Sequence, residues 1–286
     1  MMDYLTKESI NTFISAALKE DVGNGDHSTL ASVPKEAKGK AQLIVKNNGV
    51  IAGIEMAKQI FKYFDSDLII HSIVDDGAPV KEGDIAFTVE GNARSILTTE
   101  RLVLNCMQRM SGIATYTRDL NDLISHTEAK LLDTRKTTPN FRLCEKWAVI
   151  IGGGKNHRFG LYDMIMLKDN HIDFAGGIDE AIIATKNYLS KKGLNLKIEV
   201  ETRNLDEVKQ VLQHDGIYSI LLDNMNPAEL KDAVELIDGK VVTEASGGIT
   251  EKTISEVAES GVDFISVGAL THSAGSMDLS LKAVDE

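Results

Sequence analysis

The sequence predicts an α/β protein, a small α+β domain followed by a parallel (β/α) barrel-like domain. Three observations carry this. Residues 40–95 are short apolar runs cut by turns. Ser95 to Leu123 is almost free of Gly and Pro. Beyond 130, six short apolar runs alternate with helix-like stretches, and the last four strand ends, at 201, 223, 246 and 268, lie about 22 residues apart, one βα unit each.

Taken in order, Ile10, Phe13, Ile14, Ala17 and Leu18 follow helical spacing and predict an amphipathic first helix. Leu43 to Val45, Val50 to Gly53 and Leu68 to Ile70 read as strands, with a helix near 54–64, and Asp75 to Asp84 reads as hairpin punctuation. The stretch from Ser95 is a long helical connection, and a domain boundary is expected in it, giving domains 1–112 and 113–275. Six barrel strands are expected at Leu131–Asp133, Ile165–Lys168, Ile198–Glu201, Ile220–Asp223, Val241–Ser246 and Phe264–Gly268. Between them, Asn226 before Pro227 opens a helix that Gly239 closes as its left-handed residue, and Thr250 opens one that Gly261 ends. Six strands are fewer than the eight of a closed barrel, so spacing alone also allows an open doubly wound sheet.

The 286 residues carry 31 Lys and Arg against 43 Asp and Glu, a net charge of −12, with no basic block. That argues against nucleic acid or an anionic membrane as partner, because both require clustered cations. An apolar content of 43% excludes global disorder. No continuous apolar run suggests a signal peptide or membrane span, and Cys106 and Cys144 lack metal-type spacing, so buried thiols in the cytoplasm are expected.

Charge is unevenly spread. Segment 133–171 holds seven Lys and Arg against four Asp and Glu, +3 in all, leaving −15 elsewhere. Arg135 and Lys136 directly follow a strand, Lys168 ends another, and His157-Arg158 follow the triple glycine 152–154. Strand carboxyl ends converge on one rim of a barrel, and convergent guanidinium and ammonium groups recognise carboxylates or phosphates. Each such pair at 4 Å is worth on the order of 4 kcal/mol before desolvation. Glu201 and Asp223 end the next two strands, hard oxygens suited to Mg²⁺ beside a polyphosphate. Ser246-Gly247-Gly248 before a helix, and Gly268 ending the last strand, suit a phosphate through unobstructed main-chain N–H groups. The residues thus describe a Mg²⁺-dependent enzyme joining a pyrophosphate-bearing molecule to a small carboxylate. No Walker sequence or dinucleotide fingerprint competes. Asp75-Asp76 superficially matches a ribose-binding acidic pair, but the residues after it lack a phosphate turn.

Several long motifs occur in order: Leu132-Asp133-Thr134-Arg135-Lys136-Thr137-Thr138-Pro139, residues 152–163, Lys168-Asp169-Asn170-His171, Leu222-Asp223-Asn224-Met225 and Glu244-Ala245-Ser246-Gly247-Gly248, with Glu20 to Asp26 and Glu100 to Asn105 upstream. On these the chain resembles the quinolinate phosphoribosyltransferases across nearly its whole length. The resemblance implies an amino-terminal α/β sandwich and an incomplete (β/α) barrel of the type II phosphoribosyltransferase kind, with 276–286 returning to the first domain. It implies that quinolinate and 5-phosphoribosyl 1-pyrophosphate (PRPP) give nicotinate mononucleotide, pyrophosphate and CO₂ with Mg²⁺. Carried over, Thr134, Arg135, His157 and Arg158 hold quinolinate, and Lys136 and Lys168 contact carboxylate or departing pyrophosphate. Glu201 and Asp223 bind ribose hydroxyls or metal, and Ser246, Gly247, Gly248, Ser266, Val267 and Gly268 take the 5-phosphate. Arg101 completes the neighbouring subunit's site in a homodimer or a higher assembly. The sequence departs from the family at Asn140, where a glycine commonly follows the proline, and at His27-Ser28. Three rival readings remain, a lyase using Lys168 as a Schiff-base amine, a similar paralogue associated with molybdenum transport, and a non-enzymatic lipoyl-like binding module on the Gly77 to Gly83 hairpin, which leaves the cationic rim unexplained.

Overall fold

A computed structural model describes residues 4–284; positions 1–3 of the expected first domain and 285–286 of the expected return segment lie outside them. The chain begins α1 (Lys7–Val22), α2 (His27–Ser32), β1 (Lys38–Val45), β2 (Gly49–Val50), α3 (Ile54–Phe64), β3 (Ile69–Ser72), β4 (Pro79–Val80) and β5 (Ile85–Asn92). It continues α4 (Ala93–Leu123), β6 (Lys130–Leu132), α5 (Arg142–Ile151), β7 (Ile165–Leu167), α6 (Asp169–Ala175), α7 (Ile178–Lys192), β8 (Ile198–Thr202) and α8 (Leu205–Val211). It ends β9 (Ser219–Asp223), α9 (Pro227–Ile237), β10 (Val242–Ser246), α10 (Ile254–Glu259), β11 (Phe264–Ser266), α11 (Ala269–His272) and β12 (Leu279–Ala283).

Packing groups these residues otherwise than a single cut after 112 would. One compact unit contains the chain up to Arg118, Lys136–Gly153 and the segment from Ala269; the other contains Asp119–Arg135 and Gly154–Gly268.

The first unit is built on an antiparallel sheet in the order β12-β1-β5-β3. Alternation in β1 buries Ala41, Leu43 and Val45, the period of two that a half-covered strand requires. α3 covers the sheet with Ile54, Met56, Ala57, Ile60 and Phe61, and Phe61 meets Phe87 of β5 edge to face at 6.1 Å. Asp76 terminates α3 at its start, accepting from the N–H groups of Ile54 at 2.8 Å and Glu55 at 3.2 Å. Asp76 is therefore a helix cap, a role that the reading of this stretch as hairpin punctuation did not include. Cys106 of α4 and Cys144 of α5 are buried free thiols.

The second unit is a six-stranded, all-parallel sheet in the order β6-β11-β10-β9-β8-β7, with the six strands that the spacing gave and that the resemblance implied for an incomplete barrel. A single parallel bridge from Leu132 to Lys155 sits on the outer edge of β6. Asn226 caps α9 with a capping box to Glu229, and Pro227 is its first residue, as read from sequence. Two boundaries differ. The left-handed residue closing α9 is Asp238, with Gly239 the second positive φ in succession, because an aspartate tolerates that region. Thr250 opens only a turn, bonded to Thr253, and the six-residue α10 starts at Ile254.

Candidate active site

Because all six strands of the second unit run the same way, their carboxyl ends share one rim. Thr134 and Arg135 follow β6, Lys168 follows β7, Glu201 is the penultimate residue of β8, Asp223 ends β9, Ser246 ends β10, and Ser266 ends β11 with Val267 and Gly268 following it. Ser246 pairs in register with Asp223, and Ser266 with Leu132, so neighbouring strands present these groups side by side.

The cations cluster in pairs. Arg158 has its pKa pushed down, first by burial and then by the charge of Arg135, so the two guanidiniums stand close enough to repel. Met164 O accepts from Arg158 Nη1 at 3.1 Å. Arg135 Nε is buried and has no hydrogen-bond partner. A buried donor left unmade costs about 1–3 kcal/mol, more when charged, so this group is built for an acceptor that comes from outside the chain.

Lys168 Nζ donates to Glu201 Oε2 at 3.0 Å, and the Asp169 N–H donates to Glu201 Oε1 at 3.2 Å. A half-exposed ammonium on a carboxylate is unlike the desolvated, unpaired amine that Schiff-base chemistry uses, which weighs against the lyase reading. Asp223 has its pKa raised by burial and then by the Glu201 charge, while Asn224 Nδ2 donates to its Oδ2 at 2.7 Å. Two hard carboxylates repelling at one rim fit a divalent cation such as Mg²⁺, held directly or through water.

The glycine loop is shaped for close approach. Gly247 and Gly248 have φ of +98° and +61°, and a Cβ on Gly247 would lie 2.2 Å from Asn224 Oδ1, whereas Gly248 faces open space. An anion here would be met by main-chain N–H groups. The helix dipole expected from Thr250 is absent from this arrangement, because α10 begins six residues after Gly248.

His157 is held by groups of the chain itself. Its side chain is only 7% exposed, and Nε2 faces Glu199 Oε2 at 2.9 Å and Glu244 Oε2 at 3.4 Å, while Nδ1 accepts from the Arg158 N–H at 2.7 Å. Burial lowers its pKa, but the two carboxylates outweigh that and raise it to about 10. The two carboxylates at Nε2 drive the upward shift, against the Arg158 N–H, which opposes a second ring proton on Nδ1. The ligand atoms of His157, Glu199 and Glu244 lie within 4.8 Å of one another, a spacing that could also hold a metal. Strand-end placement singled out Glu201 and assigned no role to Glu199 or Glu244. The signal was present: an ionisable residue inside a buried strand run needs a partner, and both strands carry one.

Lys136 and Arg101 belong to the first unit. Lys136 is exposed, and its carbonyl accepts from Thr271 Oγ1 at 2.8 Å. Thr138 next to it is pinned by the fully buried Glu145, which also takes Arg109 Nε at 3.0 Å. Arg101 is exposed on α4. Asn140 has φ of +62°, so the position where the family commonly carries glycine keeps a left-handed backbone with the side chain that best tolerates it.

Comparison with known proteins agrees with this arrangement. Residues 26–111 match the family model "Quinolinate phosphoribosyl transferase, N-terminal domain" and residues 113–282 match "Quinolinate phosphoribosyl transferase, C-terminal domain". A chloroplastic nicotinate-nucleotide pyrophosphorylase [carboxylating] of Oryza sativa subsp. japonica is 48% identical over 288 residues, covering 96% of this chain and 77% of that protein. A mitochondrial quinolinate phosphoribosyltransferase [decarboxylating] 2 of Nicotiana glauca is 46% identical over 281 residues, covering 93% and 80%. The crystal structure of NadC from Streptococcus pyogenes superposes with a TM-score of 0.90 at 39% identity, covering 98% of this chain and 99% of that one. With both domain models matched in order and relatives this similar over almost the whole chain, the protein belongs to the quinolinate phosphoribosyl transferase family.

Proposed function

We infer that the protein transfers the phosphoribosyl group of PRPP to quinolinate with decarboxylation, yielding nicotinate mononucleotide, pyrophosphate and CO₂ in de novo NAD biosynthesis. Family membership supports the reaction. The structural observation that carries it is the Arg135–Arg158 pair with its buried, unpartnered Nε, which calls for a planar dianion.

In this reading Arg135 and Arg158, with Thr134, grip the quinolinate carboxylates and Lys136 adds charge. Lys168, already oriented by Glu201, meets a carboxylate or the pyrophosphate. Glu201 and Asp223 would hold Mg²⁺ and the ribose hydroxyls, and the 246–248 loop with Ser266, Val267 and Gly268 takes the 5-phosphate. Mg²⁺, when bound, supplies charge neutralisation of the pyrophosphate. The pyridine nitrogen attacks the anomeric carbon as the bond to pyrophosphate breaks; the ring, now cationic, stabilises the electron pair left on C2 when the 2-carboxylate departs as CO₂, and C2 then takes a proton from water to give nicotinate mononucleotide. No protein nucleophile is needed, and the residues contribute orientation and preorganised charge.

The finer assignments belong with this reading. A homodimer, alone or within a higher assembly, in which Arg101 reaches the neighbouring site is supported by that side chain's exposure on α4. Cytoplasmic residence rests on the two buried free thiols; among the described residues no helix is long and apolar enough to cross a membrane. Incubation with quinolinate, PRPP and Mg²⁺ tests the function: nicotinate mononucleotide and CO₂ should appear only when both substrates are present. A titration in which quinolinate fails to bind would favour the molybdenum-associated paralogue.

A further inference from the structure

We propose that Glu199 and Glu244, through His157, are positioning residues for the quinolinate-binding Arg158. This rests on the functional reading above and deepens it.

The three side chains form a closed, buried unit. Behind each glutamate stands a serine of an adjacent strand: Ser219 Oγ donates to Glu199 Oε1 at 2.8 Å, and Ser266 Oγ donates to Glu244 Oε1. Those bonds fix both carboxylates, and their inner oxygens converge on His157 Nε2. With Nε2 held this way and Nδ1 accepting the Arg158 N–H, the imidazole is a strut between two strands and the main chain of Arg158. On its other side, Asp133 Oδ1 accepts the His157 N–H at 2.9 Å and Asp133 Oδ2 accepts Asn156 Nδ2 at 2.6 Å, tying residues 156–158 to the strand end that leads into Arg135. Glu199 also attracts the Arg158 guanidinium, opposing the repulsion from Arg135.

A buried ionic group is a poor stabiliser, because apolar side chains of the same volume commonly do as well or better. What it provides is a fixed direction. Two guanidiniums that repel and must hold about 0.5 Å geometry for a rigid dianion need that direction set by groups behind them. His157 thus acts from behind the ligand, with its ring nitrogens committed to the chain. The paired serines also answer the metal possibility: each carboxylate has one oxygen occupied by a hydroxyl and the other by the ring.

Steady-state kinetics of Glu244→Gln, Glu199→Gln and Ser219→Ala test the proposal. Turnover by the unaltered protein is measured first, and its absence overturns the functional reading and the proposal with it. Given turnover, the variants should keep the wild-type circular dichroism, raise the KM for quinolinate by about tenfold or more for the glutamates and severalfold for Ser219→Ala, and leave the KM for PRPP within about twofold. A merely structural role would shift both KM values together or lower kcat alone, and either pattern overturns the positioning role, as does an unchanged quinolinate KM. If a glutamate variant does not fold, Ser219→Ala, which removes one hydroxyl, decides the matter.

Discussion

Arg135 sets substrate affinity against stability. Its buried Nε lacks a partner in the free protein, so Arg135→Leu removes an unsatisfied charge at the same time as it removes the ligand for a carboxylate. We expect urea unfolding to show stability unchanged or raised by about 1 kcal/mol, while calorimetric titration shows quinolinate affinity falling about a hundredfold. Lowered stability with affinity intact would contradict this. His157 gives a pH dependence. Against burial, which lowers it, Glu199 and Glu244 raise its folded pKa to about 10 from the ordinary imidazole value of 6.5, so protonation favours the folded state; that contribution is complete below about pH 6.5 and disappears as pH rises through 10. Wild-type stability in urea should therefore fall more steeply between pH 6.5 and 10 than that of His157→Gln. At this scale the sequence was informative about which residues converge and silent about depth. Strand-end placement marks Arg135 and Arg158, but whether a histidine faces the ligand or the strands behind it depends on Glu199 and Glu244, each from a different strand.

Helices and strands were legible wherever local chemistry decides them, as in the Asn226-Pro227 start of α9 and the alternating face of β1. They were less so where backbone crossings decide. Gly112 lies inside α4, where intrinsic propensity alone would favour alanine by about 1 kcal/mol. A Cβ there would sit 1.8 Å from Gly275 O and 3.0 Å from Ser276 Cα, so the segment leading to β12 would have to move, and overpacking against main chain costs about 1–3 kcal/mol or more. Gly112→Ala should therefore destabilise the protein, seen as a lower urea midpoint; a higher midpoint would mean that propensity wins. The cap of α3 makes a milder case. Asp76→Ala leaves two main-chain donors of a buried helix start without their acceptor and should cost about 1–2 kcal/mol. The premature start assigned to α10 has the opposite origin. Thr250 and Thr253 bond to each other, and a threonine–threonine turn looks like a cap until its geometry is known.

At the scale of the whole molecule, net charge describes the exterior and the local island describes the ligand. Against −12 overall, a small anion responds chiefly to charges within a screening length of about 8 Å, and in the second unit the Arg135–Arg158 pair supplies such a local positive charge. The positions of the six barrel strands followed from spacing and the return of the C-terminal segment from the family resemblance, whereas the return of 136–153 to the first unit followed from neither, because long-range packing leaves no periodic trace. Arg101 is exposed on α4, at a distance along the chain from the motif that supplies Arg135 and Lys136. If it serves a neighbouring subunit, Arg101→Ala and Lys136→Ala chains, each inactive as a homodimer, should regain activity on mixing. A mixed dimer has one site missing both groups and one site intact, and random exchange makes half of all dimers mixed, so recovery should approach about a quarter of the wild-type rate, as only one site in two works in half of the dimers. Subunit exchange is verified independently by mass-tagged chains. Recovery near that level establishes a shared site, and exchange without recovery shows that Arg101 and Lys136 act within the same subunit.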